Sequence, residues 1–439
     1  MLLFFVLAGS LVLLWPAFFN KFPLLYPDSF AYVDGCSANF RSIGYYLFIK
    51  ISSLGTSLWL VVFLQALITS YLLIRIPWLL LKHNAGRGWL SFLGLVLLVL
   101  LTDVSQYVSW IMPDIFTGWI FLISVLFFLS ANIMEQFFLT LLLGYCFTVH
   151  NSNIFIGVLL IVLFILLKLV SRKRYSRWWL PGLKVMGAVV LGFLLNCLFN
   201  LEFSGSGKFQ LMSRDAGGFF VAKLAADGVL SKTLKDNCLE KKWDMCKISG
   251  ELDGFKGYNS HFFLWDQRSP FKKYYLFNGH QQGNEIILYA ATHYPLEILK
   301  DSARDTLNLL TEFKYQRAPY FEKILVYKSN FKRNPRDIDS YYNTRQYKRL
   351  YLPARIIPLD DALLAAIALL LAIVLASIFL YQRDFLLASM VIACLLFILS
   401  NDLITASLSG PFPRYQMRVL WLLPYVLIAA SLVKLKKNH

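Results

Sequence analysis

Apolar residues in this chain fall into long unbroken runs, with neither the period-2 alternation of a half-buried strand nor the one-sided stripe of a surface helix. Ten runs come near the roughly 20 mostly apolar residues that a bilayer-crossing helix needs: 2–19, 56–81, 87–108, 111–131, 134–149, 153–170, 179–199, 356–381, 384–405 and 415–433. Between the seventh and the eighth, residues 201–355 form a polar interval of domain size. The pattern predicts an all-α polytopic membrane protein with about ten transmembrane helices and a mixed, mainly helical domain inserted between helices 7 and 8. Three parts follow: a seven-helix module over 1–200 with a long first loop (20–55), the inserted domain over 201–355, and three C-terminal helices over 356–439. The first run has no basic n-region and no small-residue cleavage site, so it is expected to be a retained helix and not a cleaved signal.

Composition agrees with this picture. Hydrophobic residues make up 57% of the chain and charged residues only 16%, against about 25% in soluble globular proteins, which excludes an ordinary cytoplasmic enzyme. The formal charge is +17, from 43 basic and 26 acidic residues. In a soluble protein that excess would point to nucleic acid; here its distribution is one-sided.

One set of loops carries Arg75, Lys82, Arg87, Lys168, Arg172, Lys173, Arg174, Arg177, Lys184, Arg383, Lys434, Lys436 and Lys437, against only Glu135 and Asp384. The alternate loops carry Lys21, Arg41, Lys50, Arg414 and Arg418 against seven acids: Asp28, Asp34, Asp103, Asp114, Asp360, Asp361 and Asp402. Basic loops stay cytoplasmic. Both termini are therefore expected in the cytoplasm and residues 201–355 outside it, in a membrane such as the bacterial inner membrane. Membrane lipids are expected partners and nucleic acid is not.

Inside the polar interval, 216–236 and 292–313 have helical spacing, while 274–278 and 285–290 look like short strands. Cys238 and Cys246 stand eight apart in this outward segment, where a disulfide and two free thiols are both open. Cys146, Cys197 and Cys394 lie in apolar runs, as small buried residues do. No Cys/His spacing matches a zinc site.

Ionisable residues at membrane depth are costly and mark functional candidates. The first outward loop holds Asp28 and Asp34 six apart, then Arg41, then SIGYYLFIKISSLG, which has the look of an interfacial helix. A carboxylate there suits a general base for an acceptor hydroxyl or a ligand for a divalent cation, and Pro27-Asp28-Ser29 also suits a helix start. Asp114 follows Pro113 at the start of a run, beside Trp110; the helix dipole favours an acid in that place. His150, Asn151 and Asn153 form a polar cluster between two apolar runs, able to bind phosphate or position an acceptor, or simply structural.

Arg414 and Arg418 are four apart, hence on one helical face. Positive charge at a helix start opposes the dipole, which leaves phosphate binding or interface snorkelling to explain the pair. Walker, GxGxxG, HExxH and GxSxG patterns are absent. Asp337-Ile-Asp339 is a D-x-D, but it sits in a run of surface charge.

A first-loop acid near the end of helix 1, a membrane-surface helix after it, a second acid between helices 3 and 4, and a domain after helix 7 together resemble the GT-C class of integral membrane glycosyltransferases. The resemblance implies a sugar donor on polyprenyl phosphate and inverting attack by an acceptor hydroxyl. By position, Asp28 would be the first-loop acid and Asp114 the second-loop acid, with Asp34 beside them. Arg41 and Arg414 or Arg418 would meet the lipid phosphate, and Asp28 and Asp114 would hold any divalent cation. The chain departs from the pattern in lacking adjacent acids in its first loop.

Two alternatives use other features. An O-antigen ligase or polymerase would work with Arg and His of the large loop, where Arg214, His261, Arg268, His280 and His293 are available. A transporter or flippase of a lipid-linked substrate would place its polar groups at mid-membrane.

Overall fold

A computed structural model of the chain describes residues 1–33, 41–81, 84–170, 179–203, 209–213, 215–255, 257–273, 280–313, 335–350, 352–353, 355–357 and 360–437. Each apolar run coincides with helix: α1 (Leu2–Leu13), α2 (Trp15–Asn20), then α3 (Pro27–Val33) and α4 (Ile43–Ser52) in the first loop, α5 (Leu58–Leu80), α6 (Arg87–Leu101), α7 (Val104–Ser109), α8 (Asp114–Leu129), α9 (Ile133–Cys146), α10 (Asn151–Val170) and α11 (Trp179–Phe203). The insert supplies α12 (Gly217–Ala226), α13 (Val229–Asn237), α14 (Ser260–Trp265), α15 (Pro270–Lys273), α16 (His280–His293), α17 (Pro295–Thr311) and α18 (Pro335–Tyr342). The chain closes with α19 (Asp361–Tyr381), α20 (Phe385–Leu408), α21 (Pro413–Leu420) and α22 (Leu422–Lys437).

Among the described residues, five stretches are long and apolar enough to cross a membrane: Leu58–Leu80, Leu180–Phe203, Asp361–Tyr381, Phe385–Leu408 and Pro413–Leu435. On α19, Leu363, Ile367, Leu370 and Ile373 point outward and are about half exposed or more. A face this apolar suits a lipid environment. The protein is an all-α, membrane-embedded chain.

Three of the sequence runs are interrupted. The first breaks at Leu14, just before Pro16 at the start of α2, where a missing N–H costs least. The third breaks where Thr102 turns extended. The last breaks at Trp421, with Pro424 in the turn that follows. Within the insert, the helical stretch 216–236 is two helices divided by Gly228, whose φ of 79° is left-handed and suits glycine.

The strand-like run 285–290 lies inside α16, because Ile286 and Ala290, four apart, share the buried face of a helix. The run 274–278 lies outside the described residues. No strand is found among the described residues; Leu24 and Trp110 form an isolated bridge.

The main core runs through the membrane helices, with α5 packed on α1, α6 and α8, and α9 on α11. A second core fills the insert with Val221, Leu224, Leu230, Phe263, Phe271 and Ile286, beside a disulfide joining Cys238 and Cys246. Lys223 is buried there between Asp227 at 2.5 Å and Asp305 at 2.8 Å. From the insert, α17 packs along α20.

Polar contacts gather at two ends of the bundle. At one end Arg75 forks onto Glu135 at 2.7 and 2.8 Å, Lys184 donates to Gln136, and Lys434 to Gln382. All six belong to the loops and helix ends of the basic set. The acids and arginines of the alternate loops meet at the other end.

Candidate functional site

The first loop is fixed by backbone contacts before any charge is considered. Leu24 N donates to Ser109 O (2.8 Å), and Ile111 N to Leu24 O (2.9 Å). Gln346, from the end of the insert, receives Leu25 N at 3.1 Å and donates back to Leu25 O at 2.6 Å. From α5, Gln65 donates to the carbonyls of Val108 and Trp110 and receives Tyr45 OH from α4. The segment carrying Asp28 is thereby tied to the turn carrying Asp114.

Pro27 opens α3, and Ser29 takes the local hydrogen-bonding work: its Oγ accepts from Tyr26 N and donates to Ile111 O, both at 2.8 Å. The Asp28 carboxylate points elsewhere. Arg41 Nη2 lies 2.5 Å from Oδ1, and Arg414 Nη1 lies 3.4 Å from Oδ2. Arg41 in turn sits over the rings of Phe219 (5.4 Å) and Trp265 (5.7 Å) from the insert, a favourable place for a guanidinium.

Asp114 lies in the first turn of α8 and is fully buried. Arg414 Nε approaches it to 3.5 Å and Arg418 Nη1 to 4.0 Å. Neither carboxylate oxygen has a hydrogen-bond partner among the described residues. Arg414 therefore bridges Asp28 and Asp114. Arg418 is anchored on Asn401 Oδ1 (3.1 and 2.8 Å) and Ser152 Oγ (3.1 Å), and Ser152 Oγ contacts His150 Nδ1 at 2.7 Å. The i, i+4 spacing does put both arginines on one face, and both are buried. Tyr415 lies under the pair, 5.4 Å from Arg414 and 5.3 Å from Arg418.

A cavity of about 550 Å³ adjoins the cluster, between the membrane helices and the insert. Arg41, His150, Ser152 and Tyr415 face it on one side, with Phe155, Leu408, Phe219 and Ile287 supplying apolar wall. A mainly apolar cavity with a polar side of this kind fits an amphiphile. Asp28, Asp114 and Arg414 are not among its lining residues; they lie behind Arg41 and Tyr415.

Burial alone would push the Asp28 carboxyl up, but Arg41 and then Arg414 outweigh it and hold the group below the usual carboxylate range. Burial, followed by the charges of Arg418, Arg414 and Arg41, drives the His150 imidazole far below its ordinary value, so it is neutral. His261 is lowered to about 4 by burial and then by Arg414, with Asp28 opposing.

Other sequence candidates fall differently. Asn153 holds helices together: Thr117 Oγ1 donates to it at 3.0 Å, and its amide donates to Cys146 O at 2.8 Å. Asn153, expected among the phosphate-binding groups, does not line the cavity. Asp34 and Arg214 lie outside the described residues. Asp103 lines a separate small cavity with Arg355 and Asp361. Asp360 caps α19, and Asp337, first acid of the D-x-D, accepts from Leu58 N at the start of α5. His293 stacks on Tyr289 at 3.8 Å, exposed and on a different helix from the cluster.

Asn401 and Ser152 were not singled out by sequence reasoning; their signal is the presence of amide and hydroxyl groups at the ends of apolar helices. Among the described residues no group of three or more His, Cys, Asp or Glu comes together. Asp28 and Asp114 each face guanidiniums, so this donor set does not fit a divalent cation. No known family model, curated protein or solved structure matches the chain.

Proposed function

We propose that the chain is a membrane glycosyltransferase that moves a sugar from a polyprenyl-phosphate donor to an extracytoplasmic acceptor hydroxyl. It would have ten membrane spans, both termini in the cytoplasm and the insert outside, as in a bacterial inner membrane. One observation carries the reading: a partly buried carboxylate, Asp28, held between Arg41 and Arg414, beside an amphiphilic cavity that Arg41 itself faces.

In this reading the acceptor oxygen bonds to the anomeric carbon as the bond to the phosphate oxygen breaks. Asp28 takes the hydroxyl proton, and the arginines stabilise the negative charge on the departing phosphate. Arg41, Arg414 and Arg418 outnumber the two carboxylates they contact by one, which favours an anionic ligand. A bound phosphate would draw Arg41 off Asp28, freeing the base as the donor arrives. The polar cluster sits at helix ends and not at mid-helix, which supports a site at the membrane surface over a transport site.

The test is transfer from a radiolabelled polyprenyl-phosphate sugar by membranes containing the protein. Asp28→Asn should lower the rate by about 10²–10⁴-fold, the usual worth of a positioned base. Full activity in that variant would remove Asp28 as the base.

A further inference from the structure

On the other side of Arg41 the insert carries a second concavity, an open groove of about 790 Å³. Tyr258, Asn259, His261, Trp265, Asp266 and Arg268 line it. Its aromatic rings are held rigidly but remain partly bare. Tyr258 packs on Phe262 (4.4 Å between centroids) and Phe255 (5.6 Å), yet is 44% exposed. Trp265 meets Phe219 at 6.3 Å and is 42% exposed. Exposed aromatic planes fixed by other rings are costly to leave in water and cheap to dock against.

The polar groups of the groove are equally fixed. Asp266 accepts from Arg268 N, Nε and Nη2, each at 2.9 Å, and Arg268 lies over the Phe262 ring at 5.6 Å. Asn259 caps α14. His261 stacks on Phe412 at 3.6 Å, two residues before Arg414. Ser260 donates to Ser409 O, fastening α14 to the turn that leads into α21 and Arg414. The groove wall and the acid–arginine cluster thus share parts: Trp265 touches Arg41, and Arg41 touches Asp28.

The charge balance narrows the ligand. Asp266 and Arg268 cancel, so the groove selects neither an anion nor a cation, and its open shape offers no deep slot for an acyl chain. Flat aromatic surfaces with a rim of donors and acceptors fit a neutral polyhydroxylated ring, whose C–H faces stack on aromatic planes while its hydroxyls reach the rim. We infer that this groove is a carbohydrate-binding subsite that seats the glycan acceptor, delivering a hydroxyl past Trp265 toward Asp28. The acceptor role rests on the transferase reading; the carbohydrate ligand does not.

The purified full-length protein, in lipid nanodiscs and without donor, is applied to an array of immobilised glycans. The wild type should retain at least one glycan class. Trp265→Ala, and separately Tyr258→Ala, should weaken that binding about ten-fold, or ~1.4 kcal/mol, near the upper end for one aromatic contact. Arg268→Ala, which removes a side chain that is 72% exposed, should also reduce it.

No glycan bound by wild type, or binding untouched in all three variants, overturns the inference. So does quenching by brominated phospholipid of the emission lost in Trp265→Phe, which would put the ring in the bilayer interface instead. Binding is read without donor, so failure of Asp28 as a base leaves this result standing, and absence of binding leaves the transfer assay to be judged on its own.

Discussion

Arg414 Nη1 lies 3.4 Å from Asp28 Oδ2 although the two residues are 386 positions apart, and the same guanidinium reaches Asp114 at 3.5 Å. One side chain therefore spans two carboxylates from different loops. Arg414→Gln leaves Asp114 fully buried with only Arg418 near it, at 4.0 Å. Stranding a buried charge costs about 3–5 kcal/mol, so thermal unfolding in detergent should fall markedly. Adding Asp114→Asn should restore part of the loss. Strictly additive losses would mean that the two residues do not interact.

Part of the acid sensitivity should trace to His261. Its folded value of about 4 lies below the ordinary 6.5, so on acidification the unfolded chain takes up the proton first. Its contribution to stability is therefore full above about pH 6.5 and lost as pH falls toward 4. His261→Gln should flatten that part of a melting-temperature profile between pH 4 and 7. An unchanged profile would place the titration elsewhere.

The disulfide closes a loop of only eight positions, Cys238 to Cys246. Loop-closure entropy at that length is worth about 2–3 kcal/mol. The paired substitution of both cysteines by serine should weaken the insert by that order. Because the loop packs on the insert's own core and away from Asp28, protease cleavage within 217–293 should speed up while the membrane helices stay intact.

Membrane orientation is open to a direct check. Leu239 is 96% exposed at a turn in the insert. Alkaline phosphatase joined there should be active, because it folds only outside the cytoplasm; joined after Lys437 it should be inactive. The reverse pattern would invert the topology and put the acid–arginine cluster on the cytoplasmic face.

Hydropathy located the apolar helices well and their interruptions poorly. Transfer energy registers how apolar a run is, but Pro16, Thr102 and the Trp421–Pro424 turn act on backbone hydrogen bonding, to which hydropathy is blind. The Arg414–Arg418 pair was legible because i, i+4 spacing dictates a shared face. Asp28 with Arg41 was legible as two charges in one loop. Asn153 was ambiguous in the sequence because an amide beside an outward loop can serve a ligand or a neighbouring helix; its contacts to Thr117 and Cys146 come only with the fold. Run 285–290 was misjudged for a related reason: four to six apolar-rich residues fit a strand and a helix equally. Gln346, which holds the loop carrying Asp28 from far along the chain, has no local signature at all.

That last contact bears on how the protein is made. Asp28 and Arg41 leave the ribosome early, but two groups that complete their surroundings arrive late: Gln346 secures the loop and Arg414 adds a second cation to Asp28. Chains emerge at about 5–20 residues per second. For most of its synthesis the chain therefore carries the Asp28–Arg41 pair without these two late contacts. A nascent chain stalled before residue 413 has α1 to α20 but neither Arg414 nor Arg418, so whatever the cluster does begins only when the last membrane segment is in place.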